Sequence, residues 1–382
     1  MKSFFSIAFL QSKMITKMNA TTHNNRLLSI DLARGLAVFF MIAVHTLEVF
    51  ASEEVKNSVF GQIIEFLGGP PAAPVFMTLM GFSFIYSRKS ELKPRLLRGF
   101  KIFLSGYILN IIRGVLPFTL STYLKMDIIE TFPLEKLNGY TILTIVDILQ
   151  FAGIALMIMA LIQEFKINKY VILFSAFLIS MLSPFLWGLN LNIPVIDQIL
   201  ELFWGDQPIE YRFIANKIAF PVFPWLSFPL LGMFLGDTMK NSKDQSTTFK
   251  YFGIIGILVL VIGVAISYSN VDYHFNDYYH SRQGGMIFMC GFVVFWLYIN
   301  KIILDKVPQN KFFDLLFKWS NGVTNIYFAQ WIIIIWSIAF LGINQSSYLT
   351  IVLLIFTFTF ISHLINEFIV FKQDKNKIKQ TA

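Results

Sequence analysis

The sequence predicts an all-α protein, a polytopic membrane helix bundle of about ten transmembrane spans with both termini cytoplasmic. Three observations predict it. The 382 residues are 55% hydrophobic and only 14% charged, where a soluble domain carries about a quarter charged residues. Runs of roughly 20 mostly apolar residues recur along the chain, each long enough to cross the hydrocarbon layer. The Lys and Arg behind the formal charge of +8 gather in short segments between those runs, where they act as topology signals and not as a nucleic-acid surface. A β-barrel would show short alternating segments instead. The single cysteine, Cys290, lies inside a run, which excludes an intramolecular disulfide and a cysteine zinc site.

The spans are expected at about 28–51, 62–86, 99–116, 141–163, 169–189, 215–236, 250–268, 284–303, 322–342 and 347–371. The segments between them set the count. Acidic "SEEVKNS" follows the first span, and basic "SRKSELKPRLLRGFK" separates the second from the third. Mixed "KMDIIETFPLEK" follows the third, and "VIDQILELFWGDQPIEYR" lies between the fifth and sixth. Basic "MKNSKDQSTTFK" joins the sixth to the seventh, mixed "VDYHFNDYYHSR" the seventh to the eighth, and "NKIILDKVPQNK" the eighth to the ninth. With ten spans and cytoplasmic ends, all the basic segments fall on one side, together with the tail "FKQDKNKIKQTA". Residues 1–25 read as a flexible cytoplasmic arm or as the product of an upstream start codon. Its "MKSFFSIAFLQSK" has a charge and a short apolar run but no small-residue cleavage site. Residues 26–371 form the membrane domain, and 372–382 a basic cytoplasmic tail.

The first span, "RLLSIDLARGLAVFFMIAVHTLEVF", carries Asp31, Arg34 and His45. Intramembrane charges are expensive and face the bundle interior. Arg34 and His45 are separated by a rotation that returns to within about 20° of the same face, and by roughly 16 Å along the axis. Asp31 lies i, i+3 to Arg34 and can pair with it. Asp31 and Arg34 read equally as a structural ion pair, and His45 either as a buried, satisfied side chain or as the natural base near neutral pH. Further inward-facing polar candidates are Asp147 and Gln150 in the fourth span, Trp225 in the sixth, and Asn325, Tyr327 and Gln330 in the ninth. His274, His280 and Arg282 fall in an outer segment, where solvation is expected, and His363 stands alone in the last span. No metal-ligand spacing is present.

The motifs occur in an order that resembles a known family. "RLLSIDLARGLAVFFMIAVHT" is similar to the opening of the bacterial relatives of heparan-α-glucosaminide N-acetyltransferase, within the wider transmembrane acyltransferases. "PPAAPVFMTLMGFSF", "TIVDILQFAGIALMIMALI", "FPVFPWLSFPLLGMFLGD" and "KWSNGVTNIYFAQWIII" continue the resemblance across most of the chain from Arg26. Two departures stand out: the lysosomal enzyme has Asn where His45 aligns, with its histidine a little later, and Gln330 stands where many relatives have His.

The resemblance implies a transmembrane acyltransferase domain over 26–371. Such a domain moves an acetyl group from cytoplasmic acetyl-CoA to an amino sugar or other glycan on the far side of the membrane, most naturally a bacterial inner membrane. Acetyl-CoA is the co-substrate, no metal is required, and homo-oligomerisation is compatible with this reading. The nucleotide's charges bar it from the bilayer, so cationic groups are expected at the cytoplasmic mouth: Arg88, Lys89, Arg95 and Arg98, with Arg34 lining a slot for the pantetheine arm. His45 is the expected catalytic base, with Asp147 orienting it or binding acceptor. Asp31, Gln150, Trp225, Asn325, Tyr327 and Gln330 are expected to line the pocket. The "LGGPPAAPVF" break, with Gly68, Gly69, Pro70, Pro71 and Pro74, offers either oxyanion-stabilising N–H groups or a packing kink. Direct transfer and an acetyl-histidine relay stay open, as do N- and O-acylation and, as an alternative class, a secondary transporter.

Overall fold

The first apolar run folds as helix α1, Leu28–Phe50, and six other helices pack against it. The computed structural model describes residues 27–87, 91–124, 138–189, 191–205 and 218–381. The N-terminal arm and the side chains of Arg88 and Lys89 lie outside them. Among the described residues all regular structure is helical, and β pairing is limited to the isolated bridges Ala51–Ser346 and Val146–Ile218.

After α1 come α2 (Val59–Gly68) and α3 (Ala73–Ile85), the two halves of the broken second span. Helix α4 (Leu92–Asn110) runs through a π-helical turn, Ile111–Val115, into α5 (Leu116–Tyr123). Then follow α6 (Ile148–Glu164), α7 (Lys169–Leu182), α8 (Pro194–Trp204), α9 (Ser227–Lys240), α10 (Gln245–Ser267), α11 (Gln283–Lys306), α12 (Lys311–Asn321), α13 (Val323–Leu341) and α14 (Tyr348–Thr381).

Eight helical segments among the described residues are long and apolar enough to cross a membrane, against the ten expected. The shortfall falls on the fourth and fifth spans. Asp147 caps α6, accepting from the Ile148 N–H, and Gln150 Oε1 accepts from the Asp147 N–H. That capping starts the helix at Ile148, separate from a short helix at Gly139–Leu143, leaving 17 residues, about 26 Å at 1.5 Å per residue. Helix α7 stops where Ser183–Phe185 tightens into a 3-10 turn containing Pro184. At the other end, α14 does not release a tail at 372: it continues as helix to Thr381.

Helix α1 is the hub. Of its most apolar stretch, 78% is buried, against 28% for α10 and for the last span. It touches α2, α3, α11, α12, α13 and α14. Near its start, Ile30, Ala33 and Ala37 join a core with α3, α9, α10 and α11. From Val38 onward its side chains join a second core with α12, α13 and α14. The sparsely buried helices turn Ile254, Leu258, Val261, Phe356 and Phe360 outward, as lipid-facing positions require.

Helices α3 and α9 meet backbone to backbone. A Cβ added at Gly81 would come within 1.9 Å of the Pro229 carbonyl oxygen, and one at Gly232 within 1.9 Å of the Thr78 carbonyl oxygen. Such contacts are typical of small residues at intramembrane interfaces. Gly81→Val is therefore expected to cost about 3 kcal/mol or more, at the upper end of overpacking effects. Gly139→Val, whose added Cβ meets nothing closer than 3.8 Å, should leave thermal stability in detergent near wild type. Equal melting behaviour of the two variants would remove the close approach as a determinant of the fold.

Candidate active site

The C-terminal half of α1 places His45 in the bundle interior, against α13. Tyr327, Gln330 and Trp331 occupy one face of α13, as residues i, i+3 and i+4 must. The His45 ring lies against the Trp331 ring with centroids 4.2 Å apart and planes inclined by 32°. Gln330 Nε2 stands 3.3 Å from His45 Nδ1. The imidazole is thus held on one face by an indole and at one nitrogen by an amide.

Beside it lies a buried ion pair. Arg113 Nη2 is 2.7 Å from Asp147 Oδ2. Tyr327 donates to the same oxygen at 2.6 Å, and the Ile148 N–H donates to Asp147 Oδ1 at 2.7 Å. The Arg113 guanidinium also donates to Asn110 Oδ1 at 3.1 Å, and its carbon lies 4.7 Å from the Trp331 ring centroid. Asn110 in turn donates to the Leu143 and Ile145 carbonyls, and Gln150 Nε2 donates to Ile145. The chain entering α6, which has left helical geometry, is satisfied in this way by buried amides.

The π-turn explains how Arg113 reaches the site. Its wider winding shifts the side-chain register within an otherwise continuous helix. The Ile112 carbonyl inside the turn accepts from Trp336 Nε1 at 3.0 Å, which ties the irregular turn to α13. Trp331 therefore touches both the cation and the imidazole, and Tyr327 bonds the anion.

A family model for the catalytic domain of heparan-alpha-glucosaminide N-acetyltransferase matches residues 26–268. The chain belongs to that family of membrane N-acetyltransferases. No curated protein matches it. In this acetyltransferase the cluster is assembled from both sides of the matched stretch: His45, Arg113 and Asp147 lie inside it, whereas Tyr327, Gln330 and Trp331 lie beyond.

The other expected site residues of the acetyltransferase divide into separate networks. Asp31 and Arg34 pair at 3.4 Å near the start of α1. Ser320 on α12 bridges them, donating to Asp31 Oδ1 at 2.7 Å and accepting from Arg34 Nη1 at 3.2 Å. Arg34 Nη2 donates to Ser83 Oγ on α3 at 2.5 Å. The pair thus joins three helices, beside a cavity of about 160 Å³ also lined by Leu27, Ile30, Phe82 and Tyr86. Arg95 is buried between α4 and α6, bonding Gln163 at 2.7 Å with its guanidinium over Phe84, while Arg98 is exposed. Trp225 is fully buried and donates to the Tyr279 carbonyl. Asn325, five residues before Gln330 on α13, donates to Asn366 on α14. Gln150 supports the backbone beneath Asp147, accepting from the Asp147 N–H and donating to the Ile145 carbonyl.

Two expectations about the loops change. His280 and His274 are not solvated: they are 4% and 8% exposed. His280 Nδ1 pairs with Asp277 Oδ2 at 2.9 Å, and His274 Nδ1 accepts from the Gly284 N–H. Burial alone would raise the Asp277 carboxyl, but the His280 hydrogen bond and charge hold it below its ordinary range. In the second-span break, the Gly69 and Ala72 N–H groups bond within their own chain segment, and Pro70, Pro71 and Pro74 have none to offer. The Gly69 carbonyl instead accepts from Tyr278.

Two polar residues escaped the sequence reading. Arg113 sits inside the third expected span and carries the same signal as Arg34, a charge within an apolar run. Glu48 lies one turn beyond His45 on α1. Its carboxylate, after burial, helps to raise the phenols of Tyr278 and Tyr279 in the loop before α11.

Proposed function

We propose that the protein transfers an acetyl group from cytoplasmic acetyl-CoA to an amino sugar or other glycan on the far side of a bacterial inner membrane, with ten spans and both termini cytoplasmic. The observation that carries this reading is the His45 ring in the C-terminal half of α1, clasped by Gln330 and Trp331 beside the Arg113–Asp147 pair. Family membership supplies the donor, and the charge pattern of the loops supplies the orientation.

In this scheme the acceptor amine or hydroxyl attacks the thioester carbon as His45 takes its proton. The carbon–sulfur bond breaks, and the imidazolium returns the proton to the leaving thiolate. Asp147 does not act as a second base, because its oxygens already accept from Arg113, Tyr327 and the Ile148 N–H. It holds Arg113 against Trp331, and Trp331 holds the imidazole. On the donor side, exposed Arg98 is suited to the diphosphate, whereas Arg95 is engaged with Gln163.

The test is purified protein in liposomes, with radiolabelled acetyl-CoA outside and glucosamine inside. N-acetylglucosamine appearing in the lumen supports the reading. Movement of sugar without acetylation would show a carrier instead.

A further inference from the structure

Gln330 is fully buried, and only half of its amide is in use. Its Nε2 stands 3.3 Å from His45 Nδ1, while its Oε1 is equally buried and has no hydrogen-bond partner among the described residues. Native structures pair most buried amide oxygens, and one left unmatched points to a bound water, a ligand or a catalytic role. This one lies one hydrogen bond from the residue on which the proposed chemistry turns.

The amide decides where a proton sits. Gln330 Nε2 carries only hydrogens to offer, so Nδ1 must present its lone pair, and neutral His45 then holds its proton on Nε2. In that tautomer neither ring nitrogen is free to act as a base. A half-turn of the amide about its last side-chain bond reverses the assignment. Oε1 then accepts from Nδ1–H, the NH2 group takes the place of the unmatched oxygen, and His45 Nε2 presents a lone pair. Each arrangement makes one hydrogen bond to the ring, so the two are closely balanced. The ring itself is fixed against Trp331, so the amide, and not the imidazole, is the part that turns.

A thioester carbonyl breaks the balance, because it can only accept. We propose that Gln330 is a positioning residue that selects the tautomer of His45, and that the carbonyl oxygen of the bound acyl donor, hydrogen-bonded to the Gln330 NH2, turns the amide and arms His45 Nε2 as the base. This rests on the reading of His45 as that base. The exchange of tautomers moves no net charge: Nε2 gives up one proton and Nδ1 gains one. The transfer that follows forms the bond from acceptor to acyl carbon and breaks the carbon–sulfur bond. The acceptor's proton goes to Nε2 and from there to the thiolate. The same NH2 group then faces the oxygen on which negative charge develops.

The experiment is nitrogen-15 magnetic resonance on histidine-labelled full-length protein in bilayers, where the two ring nitrogens report the tautomer directly. Subtracting the His45→Asn spectrum isolates His45 from the other histidines of the five in the chain. The probes are the ketone analogue of acetyl-CoA, with a methylene in place of sulfur, and S-ethyl-CoA, which lacks the carbonyl. Without ligand the Nε2–H form is expected. The ketone should raise the ratio of Nδ1–H to Nε2–H by about tenfold or more, as a ligand with that preference must, and S-ethyl-CoA should not. Gln330→Glu, whose carboxylate only accepts, should show Nδ1–H with no ligand, and Gln330→Leu should lose the response to the ketone. A wild-type ratio that the ketone leaves unchanged overturns the inference without needing any variant, as does an undiminished response in Gln330→Leu. Full turnover by His45→Asn would instead overturn the base reading, which the ratio does not measure.

Discussion

His45→Ala is expected to lower turnover by about 10² to 10⁴, the usual scale for losing a general acid–base group, while leaving protein in the membrane and acetyl-CoA bound. The ring sits toward the C-terminal end of α1, roughly three helical turns from Arg34, so donor contacts near Arg34 should survive its removal. The truncation also leaves the Gln330 amide without its only ring partner, at about 1–3 kcal/mol of stability. His45→Asn separates the two effects, since asparagine can still meet the Gln330 amide but cannot accept a proton at neutral pH. Steady-state rates with acetyl-CoA and glucosamine, beside equilibrium binding of CoA, make the comparison. If the Asn variant turns over at the wild-type rate, His45 works by hydrogen bonding and the proton has another destination.

Asp147→Asn is expected to destabilise the protein by about 3–5 kcal/mol, the cost of leaving one partner of a buried ion pair without its counter-charge. The side chain is nearly isosteric, so packing is conserved and the loss falls on Arg113. The double variant Asp147→Leu with Arg113→Met should recover most of that loss, because apolar replacement of a whole buried pair is often neutral. Tyr327→Phe removes a single hydrogen bond to a charged acceptor and should cost about 1.5–3 kcal/mol. Melting curves in detergent, combined as a double-mutant cycle, decide the matter. An Asp147→Asn protein within about 1 kcal/mol of wild type would mean that solvent reaches the pair and screens it.

The helices were legible because the bilayer demands long apolar runs, and the expense of polar groups inside them marked Asp31, Arg34, His45 and Gln330 in advance. Helical periodicity correctly aimed Arg34 and His45 inward. It could not say that α12 and α3 would enclose the first, through Ser320 and Ser83, and α13 the second. The same limit applies to Asn325 and Gln330, which share a helix but bond to α14 and α1 respectively. Hydropathy overran the start of α6, because the mostly apolar residues 139–146 form a separate short helix, Gly139–Leu143, and an irregular stretch whose Leu143 and Ile145 carbonyls Asn110 and Gln150 satisfy. Arg113 was readable as a charge in a span; its direction was not, since a π-turn breaks the regular 100° advance on which a helical wheel depends.

The order in which a ribosome delivers these segments gives the Arg113–Asp147 pair a further consequence. Its two charges reach the membrane close together in synthesis, so they can neutralise each other while most of the bundle is still unmade. His45 arrives first of all and waits for Gln330, 285 positions later. Until α13 inserts, α1 holds an imidazole without its indole and amide. An insertion intermediate arrested after α11 would therefore contain a settled ion pair and an unfinished histidine pocket, and the last helices would complete the reaction centre as they close the bundle.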